Sequence, residues 1–274
     1  MNRLNMKSPS RAAVNRDAKR FGETYTVDEV LTKTPGSIIY TGFDLINGNQ
    51  VVLKQIPRKH IRNYILHNEE MIPAEIYYHF KAYENSKMII QPLDWFERSS
   101  CYVLVLDKPD SSIDLYEFSK LYGAVNEHTA KIIWSQIVHC VYELYEAGIV
   151  HCDIKNENVL INPKTLEIKL FDFGCASPVR SDYGTCPGTP EFCPIEWYEE
   201  NMCMPGPLNV WSLGAILYIL LCNEWNFKNG IHFRNFKKEL QLSSDAKSLI
   251  DSMFCSNPFK RISVDQIIKS SWLT

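Results

Sequence analysis

The chain has 274 residues, enough for one large domain or two small ones. Hydrophobic residues make up 45% and charged residues 22%, so the chain can bury a substantial core and is neither collagen-like nor wholly disordered. The net charge of −3 is uneven, because residues 1–20 carry six basic side chains and one acidic one, which leaves −8 on the rest. An acidic body disfavours nucleic acid as a partner and favours a basic one.

The cysteines and the longest apolar run bear on the cellular compartment. The nine cysteines are odd in number and show no Cys-x-x-Cys spacing, so we expect neither a disulfide framework nor a zinc site. The first twenty residues contain no apolar stretch, which predicts no signal peptide. Residues 208–222 are too few to span a bilayer and predict a buried core helix. We therefore expect a monomer of the cytoplasm or nucleus that does not insert into membranes.

The predicted elements change in character along the chain. Residues 1–20 are polar, basic and aperiodic, which is typical of a flexible arm, either a solvated tail or a targeting or docking segment. Alternating apolar residues and turn signals then predict strands, a helix and two further strands, at 25–57, 74–83, 88–96 and 102–106. Helices dominate beyond residue 114, with short strands between them; the helices are predicted at 115–121, 130–147 and from 210 onward, and the strands at 159–161 and 168–171.

The order of these elements predicts the fold class. Strands come first and helices later, which is typical of an α+β chain with two lobes. We predict a small, mainly β N-lobe with one helix at about residues 21–107, a hinge at about 107–113, and a larger, mainly α C-lobe at about 114–274. A cleft between two such lobes is the expected ligand site.

Two motifs carry the most specific chemical signal. The sequence HCDIKNEN occupies residues 151–158 and FDFG occupies residues 171–174, each beside a predicted short strand. Phosphoryl transfer from a nucleotide requires few covalent participants but demanding positioning and charge neutralisation. A carboxylate must orient the hydroxyl nucleophile, and oxygen ligands must hold Mg²⁺ against the phosphates.

Each part of this chemistry can be assigned to a residue. Asp153 suits the orienting carboxylate, and Asn158 and Asp172 suit the metal ligands. Lys155 can lie beside Asp153 and meet the charge that develops on the γ-phosphoryl group. The motifs therefore predict a phosphotransfer site with Asp153, Lys155 and Asn158 as its catalytic residues.

These motifs resemble those of eukaryotic protein kinases, and the resemblance extends from about Tyr25 to Leu273. Further segments resemble the Pim serine/threonine kinases: LDWFER at 93–98, VLVLDKP at 103–109, GTP to CPIEW at 188–197 and VWSLG at 210–214. The resemblance implies a bilobal kinase that transfers the γ-phosphate of ATP to serine or threonine of protein substrates. It implies Mg²⁺ as the metal, with Mn²⁺ as an alternative.

The resemblance also implies two ion pairs. Lys54, at the end of an apolar strand, resembles the Val-Ala-Ile-Lys lysine that contacts the α- and β-phosphates. Glu75 is the chosen helix partner of that lysine, and Glu69, Glu70 and Glu84 are its rivals. A second, structural pair is expected between the Ala-Pro-Glu-like acid and a later arginine, at Glu196 and Arg261.

The hinge segment carries a specific inference about adenine. If Leu106 is the gatekeeper, adenine meets the backbone of residues from Asp107 to Pro109. Proline has no N–H, so the usual second hinge hydrogen bond cannot form, and we expect modest ATP affinity. Apolar contacts with the nucleotide are expected from Leu31, Ile39, Leu53 and Leu160.

Substrate preference follows from the resemblance and from charge. Lys155, together with Thr189, resembles the arrangement of serine/threonine kinases rather than that of tyrosine kinases. Carboxylates favour arginine because the guanidinium group bonds them bidentately. Three acids correspond to positions that in Pim-like kinases grip arginines before the phosphorylated residue: Asp114, Glu117 and Glu157. We therefore expect protein substrates with basic motifs, although Asn156 replaces a further aspartate and weakens a preference for several arginines.

The phosphate-binding loop departs from the kinase pattern. Thr32, Thr34 and Ser37 stand where three glycines are usual, and Gly36 remains one position away, after Pro35. Glycines let backbone amides approach phosphates closely, so these replacements predict a weaker or reshaped grip on phosphate. Pro35 and Gly36 predict a type II turn.

The catalytic loop departs from the pattern at Cys152, which replaces an arginine that usually meets an activation-loop phosphate. Activity is therefore expected not to depend on phosphorylation of that loop, whose hydroxyl residues include Ser177, Ser181, Tyr183 and Thr185. Asn209 replaces an aspartate that commonly braces the catalytic loop, and it can still form a hydrogen bond. Cys175 is either a packed small residue or an oxidation-sensitive thiol.

These departures leave a rival to an active kinase. The catalytic and metal-binding residues are all present, which favours activity, whereas the degenerate loop is compatible with a pseudokinase that keeps the fold with weak or no transfer. A small-molecule kinase of the aminoglycoside type is disfavoured by the GTP and CPIE segments, which resemble a peptide-binding segment.

Overall fold

The protein is described from a computed structural model, which covers residues 11–179, 188–200, 203–223 and 242–274. The described chain forms two compact units. The first holds the described residues up to Ile76 together with Gln91–Pro109, and the second holds Tyr77–Ile90 and the described residues from Asp110 onward. The first unit therefore ends close to the predicted hinge, but most of its predicted helix belongs to the second unit.

The first unit is built on one antiparallel sheet in the order β1-β2-β3-β7-β6. A separate hairpin, β4–β5, follows the third strand. The elements are α1 (Arg11–Thr24), β1 (Tyr25–Lys33), β2 (Ile38–Asp44), β3 (Gln50–Pro57), β4 (Tyr64–His67), β5 (Glu70–Pro73), α2 (Ala74–Asn85), β6 (Pro92–Glu97) and β7 (Cys101–Asp107).

The two faces of this sheet carry different sets of side chains, because successive side chains along each strand point to opposite faces. Val51 and Leu53 of β3 are 1% exposed and pack with Phe96 on one face. Lys54 therefore points to the opposite face. On β2, Gly42 is required by space, since a Cβ there would lie 2.0 Å from the carbonyl oxygen of Thr26.

Helix α1 differs from the flexible arm predicted for residues 1–20. Phe21 is 7% exposed, and its ring meets that of Phe96 edge-on at 5.1 Å. Arg20 Nη1 lies 2.8 Å from Asp94 Oδ2, and Asp17 accepts a hydrogen bond of 2.8 Å from the N–H of Glu97. One aromatic contact, one ion pair and one hydrogen bond to the backbone thus fix the helix to β6, although the basic composition suggested a solvated segment.

Within the described residues the second unit is mainly helical and has five short strands. Its elements are β8 (Ile113–Asp114), α3 (Leu115–Tyr122), α4 (Glu127–Glu146), β9 (Ile149–Val150), β10 (Val159–Ile161), β11 (Ile168–Leu170), β12 (Ser177–Pro178), α5 (Ile195–Glu200), α6 (Pro205–Cys222), α7 (Ser244–Met253) and α8 (Val264–Ile268). Strand β10 pairs with β11 and β8, and β12 pairs with β9. This is the α+β architecture expected of a bilobal kinase.

Helices α4 and α6 form the core of the second unit. The apolar stripe of α4 is buried, as its periodicity predicts. By length and composition α6 is apolar enough to cross a membrane, but 83% of it is buried inside the protein, which agrees with the predicted core helix. The indole N–H of Trp134 joins the two helices with a bond of 2.9 Å to the carbonyl of Leu213.

Two local expectations need correction. The strand predicted at 88–96 begins only at Pro92, because the segment before it turns toward β11: Ile89 bridges Leu170 in parallel, and the N–H of Leu170 donates to the carbonyl of Met88 at 2.7 Å. The cysteines also differ from expectation at one position. Cys203 is disulfide-bonded, whereas seven other cysteines of the described residues are free.

Candidate active site

Lys54, the lysine expected to contact the phosphates, forms the ion pair predicted from the sequence. Lys54 Nζ lies 2.6 Å from Glu75 Oε1, and the two side chains are only 11% and 14% exposed. Lys54 is placed by the middle of β3, and Glu75 by the first turn of α2, where the helix dipole favours a negative charge. The rival acids do not compete: Glu69 lies in the turn of the hairpin with a φ of 66°, and Glu70 and Glu84 are exposed.

The residues around Lys54 define the face of the sheet that is available to a nucleotide. Ile39 lies directly across from Lys54 on β2, and Leu106, 5% exposed, lies across from Val52 on β7. Val52 is two residues from Lys54 and therefore shares its face, whereas Leu53 faces away. The expectation for Leu53 as a nucleotide contact is thus wrong, and Val52, which sequence reasoning missed, takes its place.

The hinge offers few backbone donors. The N–H of Asp107 is engaged by the carbonyl of Gln91 at 2.9 Å, and Pro109 has no N–H. Adenine would then depend on carbonyl acceptors of this segment and on apolar contact. Leu31 of β1, an expected apolar contact, is 49% exposed.

The degenerate loop between β1 and β2 is closed by its own side chains. The N–H of Thr34 donates to the carbonyl of Ser37 at 2.9 Å, and the N–H of Ser37 donates to Thr34 Oγ1 at 3.0 Å. The Ser37 amide is therefore already engaged and is not free to bind phosphate. Gly36 does not have a positive φ, so the predicted type II turn is wrong. The hydroxyls close the turn instead.

In the second unit, His151 braces the catalytic loop. Its ring is fully buried, with Nε2 3.0 Å from the carbonyl oxygen of Phe171 and Nδ1 3.3 Å from the N–H of Asp153. This geometry assigns the proton to Nε2, which donates, while Nδ1 accepts. Burial lowers the pKa of His151, so the ring is neutral at physiological pH.

The carboxylate of Asp153 lies at the centre of a hydrogen-bond network. Its Oδ1 accepts from the N–H of Thr189 at 2.8 Å and from the Thr189 hydroxyl at 2.7 Å. Its Oδ2 accepts from Asn158 Nδ2 at 3.1 Å and lies 3.3 Å from Lys155 Nζ. Lys155 Nζ also donates to Thr189 Oγ1 at 2.7 Å. The carboxylate is thus held in one orientation, with the Lys155 ammonium group beside it.

The expected metal ligands lie at one end of the β10–β11 hairpin. The N–H of Phe171 donates to the carbonyl of Asn158 at 3.1 Å, which places the next residue, Asp172, beside that end. The amide nitrogen of Asn158 faces the main chain and side chain of Asp153, so its oxygen is the atom left for a cation. One carboxylate and one amide oxygen fit Mg²⁺, which takes few protein ligands besides phosphates.

Two residues of this centre have left-handed backbone conformations. The φ of Asp172 is 65° and that of Cys152 is 63°. Such conformations are uncommon outside glycine and occur where surrounding contacts fix them. Asn209 of α6 supplies one of these contacts by accepting from the N–H of Cys152 at 3.1 Å, which confirms that the asparagine braces the loop.

Gly188 completes the contacts and was not singled out from the sequence. A Cβ at this position would lie 2.5 Å from the carbonyl oxygen of Cys152, so only glycine lets Thr189 approach Asp153 so closely.

Residues 25–273 match the family model of the protein kinase domain. The chain belongs to the protein kinase family.

Curated relatives narrow the class. Over 267 residues the kinase is 32% identical to "Serine/threonine-protein kinase pim-2" of Danio rerio, covering 93% of this chain and 86% of the relative. It is 28% identical over 284 residues to "Serine/threonine-protein kinase prk-2" of Caenorhabditis elegans, covering 98% of this chain and 63% of that relative. The family and these names place the chain among ATP-dependent protein serine/threonine kinases. They give the pseudokinase alternative no support.

The peptide-binding segment of the kinase is anchored by a buried ion pair. Arg261 Nη1 and Nη2 each lie 2.8 Å from a carboxylate oxygen of Glu196, and the two side chains are 0% and 5% exposed respectively. Arg261 also donates to the carbonyls of Cys255 and Pro207, both at 3.0 Å. The structural pair expected from the sequence is therefore present, and two carbonyl oxygens bind Arg261 in addition.

The three acids expected to bind arginine differ in their exposure and in their hydrogen bonds. Asp114 caps α3, its Oδ1 accepting from the N–H of Glu117 at 2.7 Å, while the Glu117 side chain is exposed. The pKa of the Glu157 carboxyl is raised, first by desolvation and further by the charges of Asp153 and Asp114, while the nearby Lys155 cation opposes this rise. The neighbouring negative charges make a cation favourable beside Glu157.

Asn156 and Leu160 also lie close to these motifs. The Asn156 side chain is 1% exposed, and its Nδ2 has no hydrogen-bond partner among the described residues. Its replacement of an acid therefore acts inside the loop and not on a peptide surface. Leu160 is half-buried and lies across from Asp114 in the β10–β8 pair.

The surroundings of Cys152 are mainly apolar, with the Ser177 hydroxyl 3.4 Å from its Sγ. Cys152 is 3% exposed and belongs to a buried cluster with Val150, Cys193 and Leu208. Cys175 packs against the same cluster, as the packed-residue interpretation expects. Of the hydroxyl residues named from the sequence, Ser177 lies in β12, and three lie outside the described residues: Ser181, Tyr183 and Thr185.

Proposed function

We propose that this kinase transfers the γ-phosphate of ATP, with Mg²⁺ and with Mn²⁺ as an alternative, to serine or threonine in protein substrates that carry basic residues before the target. The observation that carries the proposal is the network of Asp153, Thr189 and Lys155. It fixes a carboxylate where a hydroxyl nucleophile can be oriented and keeps a cation beside it for the phosphoryl charge. Few other chemistries need this combination.

The first test is transfer from labelled ATP with Mg²⁺ to serine peptides with and without arginine. Asp153→Asn runs alongside, because it controls for contaminating kinases. Transfer that disappears in the variant is the expected result. A folded wild-type protein that transfers nothing would overturn the proposal and favour a pseudokinase instead.

The metal assignment has its own test. Asp172→Asn removes the one carboxylate of the proposed metal pair, so phosphate transfer should be lost at every Mg²⁺ concentration that supports the wild type. Titration with Mn²⁺ in place of Mg²⁺ provides the second arm. Unchanged transfer by the variant would refute Asp172 as a metal ligand.

Preference for basic substrates is proposed from the charges around Glu157. The Asp114 and Asp153 charges near its carboxyl, which raise its pKa against the opposing charge of Lys155, support an arginine subsite. Glu157→Gln should raise KM for arginine-bearing peptides by about tenfold and leave arginine-free peptides unaffected. Glu146→Gln, at an exposed acid in the last turn of α4, is the matched control. Equal loss on both kinds of peptide contradicts the subsite.

Independence from activation-loop phosphorylation is proposed from the burial of Cys152. A thiol in an apolar cluster offers no charge to a phosphate. Protein treated with a phosphatase, and shown by mass spectrometry to carry no phosphate, should transfer as fast as untreated protein. A loss of rate that ATP preincubation restores would show that phosphorylation is needed.

A further inference from the structure

A cavity lies in the first unit, on the face of the sheet opposite Lys54. It has a volume of about 500 Å³ and runs between helix α1 and strands β1, β2, β3 and β7. Its apolar walls are Phe21, Val27, Leu53 and Val103. This volume is within the range of ligand-binding pockets in proteins, roughly 300–1,000 Å³. We call it the outer-face pocket.

The polar lining of the outer-face pocket includes the side chains of Arg98, Gln55 and Tyr40. Arg98 stacks on Phe21 with its guanidinium carbon 4.7 Å from the ring centroid, and its Nε is buried without a hydrogen-bond partner among the described residues. Gln55 accepts from the Tyr40 hydroxyl at 3.2 Å, which uses its amide oxygen and leaves its NH₂ group. A buried donor without an acceptor is unfavourable, so an acceptor supplied by a ligand would stabilise this arrangement.

The charges around the outer-face pocket also favour an anionic ligand. No aspartate or glutamate lines the outer-face pocket, and within the described part of the chain no carboxylate pairs with Arg98. The rim adds the hydroxyl-bearing Ser99 and Ser100, both exposed. A cation above apolar walls, with further donors beside it, complements a molecule that has one anionic head and an apolar body.

We propose that the outer-face pocket binds a fatty-acid anion. Its acyl chain lies against Phe21, Leu53 and Val103, and its carboxylate meets Arg98 and the Gln55 amide. A carboxylate presents two oxygens, which suits one guanidinium group and one amide. Because Phe21 belongs to α1, occupancy couples the ligand to the attachment of that helix.

Binding is measured by titration calorimetry with dodecanoate below its critical micelle concentration. One molecule should bind per chain, and Arg98→Gln should weaken binding about tenfold. Lys59→Gln removes one exposed positive charge elsewhere in the same unit and should change nothing. Dodecanoate methyl ester, which lacks the charge, should bind at least as weakly as dodecanoate binds to Arg98→Gln.

Further variants keep the proposal testable if Arg98→Gln loosens helix α1. Val27→Trp, at a residue that is 51% exposed, fills the pocket from its rim and should abolish binding in a folded protein. Arg98→Lys keeps the cation and should retain most of the affinity. Hydrogen exchange should show slower exchange of α1 amides when dodecanoate is bound.

A separate binding experiment with vesicles of anionic lipid distinguishes binding of a free fatty acid from binding to a membrane surface. Binding to vesicles without binding to monomeric dodecanoate would overturn the proposal in favour of a surface charge effect. The proposal would also be overturned if dodecanoate showed no saturable binding or bound Val27→Trp with unchanged affinity. Equal weakening of dodecanoate binding by Lys59→Gln and Arg98→Gln would overturn it as well. None of these measurements involves phosphate transfer, so their failure leaves the proposed kinase activity untouched.

Discussion

The carboxylate of Asp153 accepts two hydrogen bonds from one residue, Thr189: the N–H at 2.8 Å and the hydroxyl at 2.7 Å. The same hydroxyl accepts from Lys155 Nζ at 2.7 Å. Thr189 thus joins the peptide-binding segment to the catalytic acid and its cation. A substitution at Thr189 therefore tests how the Asp153 carboxylate is positioned without removing the catalytic residues themselves.

Thr189→Val should lower kcat by roughly 10- to 100-fold, because it removes a hydrogen bond to a charged group, worth about 1.5–3 kcal/mol, and the acceptor of Lys155 Nζ, while the backbone bond to Asp153 remains. KM for ATP should not change. Steady-state kinetics provide the measurement, and Thr189→Ser, which keeps the hydroxyl, should restore most of the rate. A serine variant as slow as the valine variant would show that the hydroxyl is not what matters.

Replacing Thr32, Thr34 and Ser37 together with glycine should lower KM for ATP by about threefold, or about 0.7 kcal/mol of binding free energy. The change frees the Ser37 amide, which now donates to Thr34 Oγ1 at 3.0 Å, to meet phosphate. Gly36→Ala is the control, because a Cβ there meets nothing within 4 Å. A KM that stays constant or rises would show that the side-chain network is not what limits ATP binding.

Glu196→Ala should reduce the free energy of unfolding by about 3–5 kcal/mol, because it leaves the fully buried guanidinium of Arg261 without its counter-charge. Chemical denaturation measures this loss. The exposed pair of Lys269 and Asp265 offers the matched comparison, and Asp265→Asn should have little effect. Similar losses at both sites would contradict a special role for the buried pair.

Stability should depend on the protonation of His151. Burial lowers its pKa in the folded protein, so the unfolded chain binds the proton more readily, with an ordinary value of 6.5. The contribution is therefore complete above about pH 6.5 and is lost as the pH falls below it. Urea unfolding between pH 7.5 and pH 5 should show a steeper fall for the wild type than for His151→Gln. Parallel profiles would exclude this histidine as the cause.

The parts of the site that reside in local motifs could be predicted from sequence. Asp153, Lys155, Asn158 and Asp172 lie in two short segments, and the strands beside them, such as β10, match the predicted bounds. Local spacing specifies such residues because each acts from a fixed position on one loop. Glu75 was harder, since its neighbours Glu69 and Glu70 carry the same charge, and only the start of α2 selects it.

Other features depend on contacts that no local pattern records. The orientation of Leu53 away from the face of Lys54 follows from β3 alternation and was still missed, because an apolar residue beside Lys54 suits either face. The closed turn of Thr34 and Ser37 depends on hydroxyl geometry that composition does not reveal. The buried Asn156 would have needed knowledge of the neighbouring elements.

The attachment of helix α1 has a consequence for where this domain starts. The family match begins at Tyr25, after the helix has ended. A protein shortened to that residue would lose Phe21 and Arg20 and leave the ring of Phe96, which both now cover, open to water. Such a fragment would carry an aromatic patch beside the edge strand β6 and would tend to aggregate, so the helix belongs to the minimal soluble unit.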